Sequence, residues 1–183
     1  MAEQSLYGAE EYVLSHVEHR LITKVDGLAA ANCFICDTPV PDVLPAQSPI
    51  VTICLGDSNY DEGTFMGAGV NGLNEQSTVI ITVLNRVVLD PPPKAREALM
   101  HTARGLLAFK RPILSALLLS DTQSCEGYAD QFVPSGADGH CLVERGFIPR
   151  GWSAPRYVKR GDHQYLGMSL SLSFSFDQEL PIT

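Results

Sequence analysis

The sequence lacks the features of several common classes of protein. No apolar run approaches the roughly 20 residues of a membrane-spanning helix, and the N-terminus has no basic segment followed by an apolar one, so we expect no signal peptide. Five cysteines at irregular spacing do not form the framework of a small secreted domain. A net charge of −8 argues against a free nucleic-acid-binding protein, which needs positive charge against phosphates. We therefore expect synthesis in the cytoplasm and no membrane partner.

Motifs for metal or redox chemistry are weak. Cys33 and Cys36 form a C-x-x-C within a predicted strand. An offset of three residues in a strand would place the sulfurs on opposite faces, so we interpret both as small buried side chains. His16 and His19 could share a helix surface, but no third ligand is close in sequence, and we interpret them as solvated. The sequence therefore predicts no metal site.

Three further motifs, for calcium binding, nucleotide binding and catalysis, lack the neighbouring sequence that each of them needs. The acids of Asp57–Gly63 are like those of a calcium loop, but its twelfth position is Ala68 rather than a glutamate. The glycines of Gly67–Gly72 have dinucleotide-fingerprint spacing, yet a strand rather than a helix follows them. Cys, His and Asp residues within 125–163 could form a catalytic set, but no nucleophile elbow accompanies them. We expect a protein that is not an enzyme, with no catalytic residue and no cofactor.

The most informative segment that is present is Tyr165–Phe176, where apolar and small residues alternate. A period of two places successive side chains on opposite faces of a strand. One face is apolar and suits a core. The other face carries glycine and small hydroxyls without charge or bulk, which suits close packing against another surface. The predicted interface candidates on this face are Ser169, Ser171, Ser173 and Ser175.

Periodicity and breakers predict the other elements. A helix over 7–25 presents an apolar face at spacings of three and four. A second helix begins at Asp90, and Pro112 ends or kinks it near Phe109, with 113–119 as one more helical stretch. The glycine-rich segment 57–76 is predicted to be a mobile loop or long hairpin connection that a neighbouring subunit orders. Its Gly67 and Gly69 would allow close approach to a partner.

The predicted fold is a single α+β domain over residues 1–183. A mixed or antiparallel sheet of about four main strands would have two helices packed on one face. The predicted strands are 31–36, 50–55, 77–88 and 165–176. Residues 120–164 show no clear periodicity and are predicted to be an irregular insertion before the last strand.

Trp152 within the insertion is the predicted anchor for a partner. Arg150 and Arg156 flank it, and Trp and Arg are enriched among interface hot spots. Residues 145–160 contain five basic and no acidic residues. This charge would suit a contact with an acidic partner, and a solvated loop would account for it equally well. The alternative is that Trp152 fills the core of its own subunit.

The order of elements resembles the tail terminator (tail completion) proteins of long-tailed bacteriophages and the related minor tail and head–tail joining proteins. The order is helix, strand, proline loop, strand, glycine loop, strand, helix, long insertion and strand. The resembling segments are Glu10–Leu21, Pro49–Gly56, Thr78–Leu89 with Ala95–Leu107, and Tyr165–Phe176.

This resemblance implies a structural virion protein at the tail–neck junction, without catalytic residues. Such subunits form a homo-oligomeric, hexameric ring that caps the tail tube and offers a docking surface for the head. The implied partners are further copies of the chain, the tail-tube protein and the neck or head–tail connector proteins. Genome DNA would pass the lumen without sequence-specific binding. Two alternatives stay open: another phage ring component, such as a head–tail adaptor or the tail-tube subunit, and a small intracellular enzyme with its site in 120–164.

Overall fold

The computed structural model describes residues 9–60, 72–87, 93–118 and 146–179. These residues form an α+β fold with three helices and one mixed sheet of six strands. The elements are α1 (Ala9–Lys24), β1 (Cys33–Ile35), β2 (Ile50–Tyr60), β3 (Gly72–Val87), α2 (Pro93–Met100), α3 (Leu106–Leu118), β4 (Ile148–Trp152), β5 (Arg156–Arg160) and β6 (His163–Glu179). The predicted class is confirmed, but the sheet is larger than the four strands expected.

The sheet has the order β1-β2-β3-β6, with β4 and β5 both paired to the outer edge of β6. β1 is parallel to β2, and the remaining pairs are antiparallel. β4 pairs with β6 at residues 170–173 and β5 pairs at 163–167, so the two act as one interrupted edge strand. The Ser153 N–H donates to the Ser169 carbonyl at 2.7 Å and links the two halves.

The predicted register of β6 is confirmed. Its apolar parity faces the helices, where it joins one core cluster with α1 and α3. Because side chains alternate across a strand, its serines face the other side of the sheet. The members of the apolar parity that the core contains are Leu166, Met168, Leu170, Leu172 and Phe174.

The α1 helix follows its sequence pattern closely. Val13, Val17 and Leu21 recur every fourth residue and are fully buried on one face. Acidic residues lie in the first turn and Lys24 in the last, which complements the helix dipole. The helix ends before Gly27, whose φ of 85° is a left-handed conformation that favours glycine.

The predicted second helix is two helices, and Pro112 does not end the second. α3 continues through the exposed Pro112 to Leu118. The proline removes one N–H from the helix, and the packing of the buried residues around it compensates for that loss. The break lies at 101–105 instead. A Cβ on Gly105 would lie 2.5 Å from the backbone nitrogen of His101, so only glycine fits this tight connection.

The predicted irregular insertion is partly regular. β4 and β5 lie inside 120–164, and residues 119–145 fall outside the described part of the chain. Two residues, Gly161 and Asp162, join the paired Arg160 and His163, and Gly161 has a φ of 54°. A two-residue Gly-Asp connection is a hairpin signal, so this strand pair was detectable in the sequence.

The predicted glycine loop is partly a hairpin. β2 extends to Tyr60 and pairs with β3, which begins at Gly72, so both arms of 57–76 are strands. The register shifts between Leu55 and Ser58, as a β-bulge does. Gly67 and Gly69 lie outside the described residues, and the mobility of the loop stays a prediction.

The side of the sheet opposite the helices is covered at one end by the proline-rich connection 36–49. Val40 and Leu44 from this connection pack on Ile50, Leu84 and Tyr165. The Arg160 guanidinium donates to the carbonyls of Pro41 at 3.2 Å and Val40 at 2.9 Å, and pairs with Asp42 at 3.6 Å. These contacts fasten the connection to β5.

Across the described residues, none of the helices has both the length and the apolar character that crossing a membrane requires.

Candidate functional site

The strongest candidate site is the hydroxyl face, defined as Ser169, Ser171, Ser173 and Ser175 of β6 together with Thr78 and Thr82 of β3. Ser169 is the register partner of Thr82, and Ser173 is the partner of Thr78. Cross-strand partners point to the same side of a sheet, so the serines and threonines lie on one surface, which also contains Ile80, the partner of Ser171. The helices lie on the other side of the sheet.

Hydrogen bonds organise the hydroxyl face. The hydroxyls of Thr82 and Ser169 lie 2.8 Å apart and bond across β3 and β6. Arg150 Nε donates to Ser173 Oγ at 2.7 Å, and its side chain leaves Ser173 only 4% exposed. Ser169, Ser171 and Ser175 are half-buried. Along β6 the face therefore consists of small, uncharged side chains, and the Arg150 guanidinium lies at its edge.

The arginines of the edge strands reach this face by register. Arg156 pairs with Gly167 of β6, which has the serine parity. Arg150 lies in the irregularity between Pro149 and Gly151, where the pairing with β6 shifts. A bulge redirects side chains, which accounts for the contact of Arg150 with Ser173. Both arginines are largely exposed residues, so they remain accessible to a partner.

Trp152 lies on the opposite side of the sheet from the serines. It pairs with Leu170 and packs, half-buried, against the core cluster beneath the helices. Lys110 Nζ lies 5.7 Å from the centre of the indole ring, within the range of a cation–π contact. The indole Nε1 is buried and has no hydrogen-bond partner among the described residues. This packing corresponds to the alternative in which Trp152 belongs to the core of its own subunit.

The structure therefore brings six of the nine predicted interface residues to one side of the sheet. They are Ser169, Ser171, Ser173, Ser175, Arg150 and Arg156. The sequence interpretation missed Thr78 and Thr82 and the exposed Ile148, which pairs with Ser173. Thr78 and Thr82 share their parity with Ile80, so 78–82 shows no polar alternation in the sequence, and only the pairing with β6 places the two threonines beside the serines.

The three cysteines in the described part of the chain, Cys33, Cys36 and Cys54, all have raised pKa values. Burial raises the pKa of Cys33 to about 12, with a smaller contribution from Glu18, and burial raises the pKa of Cys54 to about 11. Burial also raises the pKa of Cys36, whose Sγ donates to the Thr38 carbonyl at 2.9 Å. Because the thiolate is the nucleophile and metal ligand, raised pKa values make these thiols poor in both roles.

Cys33 and Cys36 do not form a pair. Cys33 belongs to the core beneath the helices, whereas Cys36 contacts the hydroxyl of Thr52, which bonds the proline-rich connection on the other side. The predicted separation of the two sulfurs is confirmed. Within the described ranges, no three His, Cys, Asp or Glu side chains gather in a way that could hold a metal ion.

No protein-family model matches this sequence, and no curated protein matches it significantly.

Proposed function

We propose that this chain is a structural virion protein that forms a ring, caps the tail tube and joins it to the neck of a tailed bacteriophage. The observation that supports the proposal best is the hydroxyl face, which lies on the side of the sheet away from the helices. The α+β class and the apolar parity of β6 facing the helices also agree with the resemblance in the order of elements.

The chemistry of the hydroxyl face suits a stoichiometric contact with another protein. Small side chains allow another surface to approach closely, and each serine hydroxyl can donate and accept a hydrogen bond. Serines also lose little side-chain entropy compared with long charged residues. Arg150 and Arg156 at the edge supply charge that would orient an acidic partner surface.

The size of the hydroxyl face limits what it can do alone. Three strands about 4.8 Å apart and seven residues of about 3.3 Å each give a patch of roughly 300 Å². A stable interface buries about 800 Å² on each partner. We therefore propose that the hydroxyl face contributes part of a heterologous subunit contact, and that further surfaces complete it. A heterologous contact closes into a ring when its rotation closes.

The first experiment measures assembly directly. Size-exclusion chromatography with light scattering over a concentration series should show a closed oligomer, and negative-stain images should show rings. A chain that stays monomeric at all concentrations, alone and with a tail-tube protein, would contradict the proposal.

A matched pair of variants tests the surface. Ser171→Arg places a long charged side chain on the hydroxyl face, whereas Ser115→Arg makes the same change on the exposed surface of α3. We expect Ser171→Arg to abolish the oligomer and Ser115→Arg to leave it intact, with both monomers folded by circular dichroism. Equal assembly of the two variants would exclude the hydroxyl face as the interface.

The same features would serve a head–tail adaptor or a tail-tube subunit. The position of the chain in a virion map separates these alternatives from a terminator, because the three rings occupy different levels of the tail and neck.

A further inference from the structure

The two opposite edges of the sheet differ in charge. β1, with α1 packed on it, forms one edge, and β4 and β5 form the other. Residues 25–60, which include β1 and β2, contain no lysine or arginine. Residues 98–118 and 146–161, which include α3, β4 and β5, contain no aspartate or glutamate. The charges of the chain are therefore divided between the two edges, although the net charge is −8.

The acidic edge is defined by two carboxylates of α1 and two partly exposed apolar side chains below them: Glu11, Glu18, Ile35 and Leu55. Glu18 contributes to the raised pKa of the Cys33 thiol, so its flank of α1 faces β1. Glu11 lies about two helical turns earlier on the same flank. Ile35 pairs with Ile53, which belongs to the core beneath the helices, and Leu55 has the same parity. Ile35 and Leu55 are each 38% exposed, so the acidic edge has an apolar centre beside its carboxylates.

The basic residues of α1 lie away from the acidic edge. Arg20 Nε donates to the Ala116 carbonyl of α3 at 2.8 Å, which places this side chain on the opposite flank of the helix. Lys24 follows one turn later, in the last turn of α1, and shares that flank. The charge of the acidic edge is therefore not balanced by the arginine and lysine of its own helix.

The basic edge is defined by three cations and two exposed apolar side chains: Lys110, Arg111, Lys159, Leu107 and Tyr157. Lys110 Nζ lies 5.7 Å from the centre of the Trp152 ring, so this flank of α3 faces β4. Leu107 is one turn before Lys110 and Arg111, and neighbours at this spacing share a helix flank. Leu107 is 44% exposed, which leaves an apolar side chain between the cations.

The sheet register places Tyr157 beside Leu107. Tyr157 and Asn85 are both partners of Leu166 on β6, and all three have the parity of the helix side. Asn85 Nδ2 donates to the Arg104 carbonyl at 2.6 Å, so the start of α3 lies at the level of Tyr157. Leu107 follows within one turn, and Tyr157 is 56% exposed at the outer strand. The two side chains therefore form the apolar centre of the basic edge.

The positive charge of this edge remains on the helix side. Lys159 has the parity of Tyr157 and is exposed. Arg160 has the opposite parity and pairs with Asp42 at 3.6 Å, on the side of the sheet away from the helices. Asp162 lies in the hairpin turn, at the far end of β5. The basic edge thus presents three cations around an apolar centre.

We propose that the basic edge of one copy of this chain binds the acidic edge of the next copy. An apolar centre with a polar rim is the usual arrangement of a protein interface, and here the two rims have opposite charge. Because the edges lie on opposite sides of one subunit, each copy contacts two neighbours head to tail, and such a contact closes into a ring when its rotation closes.

This contact rests on the ring function proposed above and supplies the further surfaces that the hydroxyl face needs. Arg150 and Arg156 belong to the same edge strands and lie on the side of the hydroxyl face, so the basic edge and that face are continuous. A second copy suits the basic edge better than a nucleic acid does, because the net charge of −8 repels phosphates and the chain itself carries the complementary acidic edge.

Complementary charge-reversed variants test the contact. Arg111→Glu with Lys159→Glu makes the basic edge negative, and Glu11→Lys with Glu18→Lys makes the acidic edge positive. Each variant alone should stay monomeric in sedimentation velocity where wild type assembles, because like charges then face each other. An equimolar mixture should associate, since the intact acidic edge of the first variant meets the intact basic edge of the second. Association of the mixture also shows that both variants are folded.

A matched charge reversal and a salt series serve as controls. Arg96→Glu reverses a charge on the exposed surface of α2 and should assemble as wild type does. Raising NaCl from about 0.05 M to about 0.5 M should weaken wild-type association about tenfold, because salt screens charges at an exposed rim. Association that is insensitive to salt and to all three changes would overturn the proposal.

The outcomes separate this contact from the ring function. If wild type and both charge-reversed variants form rings equally well, the contact is wrong and the ring function stands. If wild type forms open chains that both variants lose, the contact is supported and the ring function is contradicted. A mixture that stays monomeric, together with binding of labelled duplex DNA that Arg111→Glu with Lys159→Glu abolishes, would overturn the proposal in favour of a nucleic-acid surface.

Discussion

The two sides of β6 come from the same strand and differ in what their side chains contribute. On the helix side, Leu170 and Leu172 are fully buried in the core cluster. On the other side, Ser169 and Ser171 are half-buried beside β3 and the edge strands. Burying a leucine contributes about 1.5–3 kcal/mol, whereas a typical net hydrogen bond contributes about 0.5–1.5 kcal/mol.

The two sides of β6 therefore have different roles, since one stabilises the fold and the other can contact another molecule. The apolar side supplies most of the folding free energy that β6 can provide, so its residues cannot vary in size without loss. On the hydroxyl face, Ser173 and Thr82 are buried within the subunit, whereas Ser169, Ser171 and Ser175 are half-buried and keep surface for a contact with another molecule. The following variants measure that contrast, beginning with the largest effect.

Leu170→Ala should have the largest effect. The side chain is fully buried beneath the helices, and its truncation leaves a cavity in the core. We expect a loss of about 3 kcal/mol in the free energy of unfolding, measured by urea titration. Leu107→Ala on α3, where the side chain is 44% exposed, is the matched control and should cost less than about 1 kcal/mol. Similar losses for the two variants would contradict the burial that the comparison assumes.

Trp152→Ala should cost about 2 kcal/mol of subunit stability, because the half-buried ring packs on the core cluster. Trp152→Phe should cost much less, since the indole N–H that it removes bonds none of the residues that the structure describes. Thermal unfolding, followed by circular dichroism, measures the stability of both variants, and sedimentation measures their association. Together the two measurements separate the two roles of this residue. Unchanged stability with lost association would instead identify Trp152 as an interface anchor.

Gly167→Ala tests the crowded end of the serine side. An added Cβ would lie 2.6 Å from Leu84 Cδ2, and Leu84 is fully buried in the second cluster with Ile50 and Tyr165. We expect a loss of about 1–2 kcal/mol from the forced repacking. Gly56→Ala is the control, because its Cβ would meet the half-buried end of Ile80 at 3.0 Å, which has room to move. A smaller loss at Gly167 than at Gly56 would contradict this account.

Ser171→Ala should have the smallest effect. Among the described residues the structure records no hydrogen bond for its hydroxyl, and the methyl group of alanine fits the same space. We expect the free energy of unfolding of the monomer to stay within about 0.5 kcal/mol of wild type in the same urea titration. A loss near that of Leu170→Ala would show that the two sides of β6 are not energetically distinct.

The sequence alone was sufficient for the elements whose patterns are local. The alternation of 165–176 predicted the strand and its buried parity, and the spacing of Val13, Val17 and Leu21 predicted α1 and its buried face. Of the six predicted interface residues that lie on the other side of the sheet, the four serines follow from the same alternation. These patterns are reliable because burial of one continuous face imposes its period on the side chains.

The tertiary structure decided where local signals competed. Pro112 is the strongest helix breaker between 93 and 118, yet the break lies at 101–105, where Asn85 bonds the carbonyls of Ala98 and Arg104 from a distant strand. β5 lacks an apolar parity because it is an edge strand, so the Gly-Asp turn marks it in the sequence while its extent is set by the pairing with β6. Period and turn chemistry are properties of neighbouring residues, whereas the bonds of Asn85 at the helix break and the contact of Arg150 with the hydroxyl face join residues far apart in the chain.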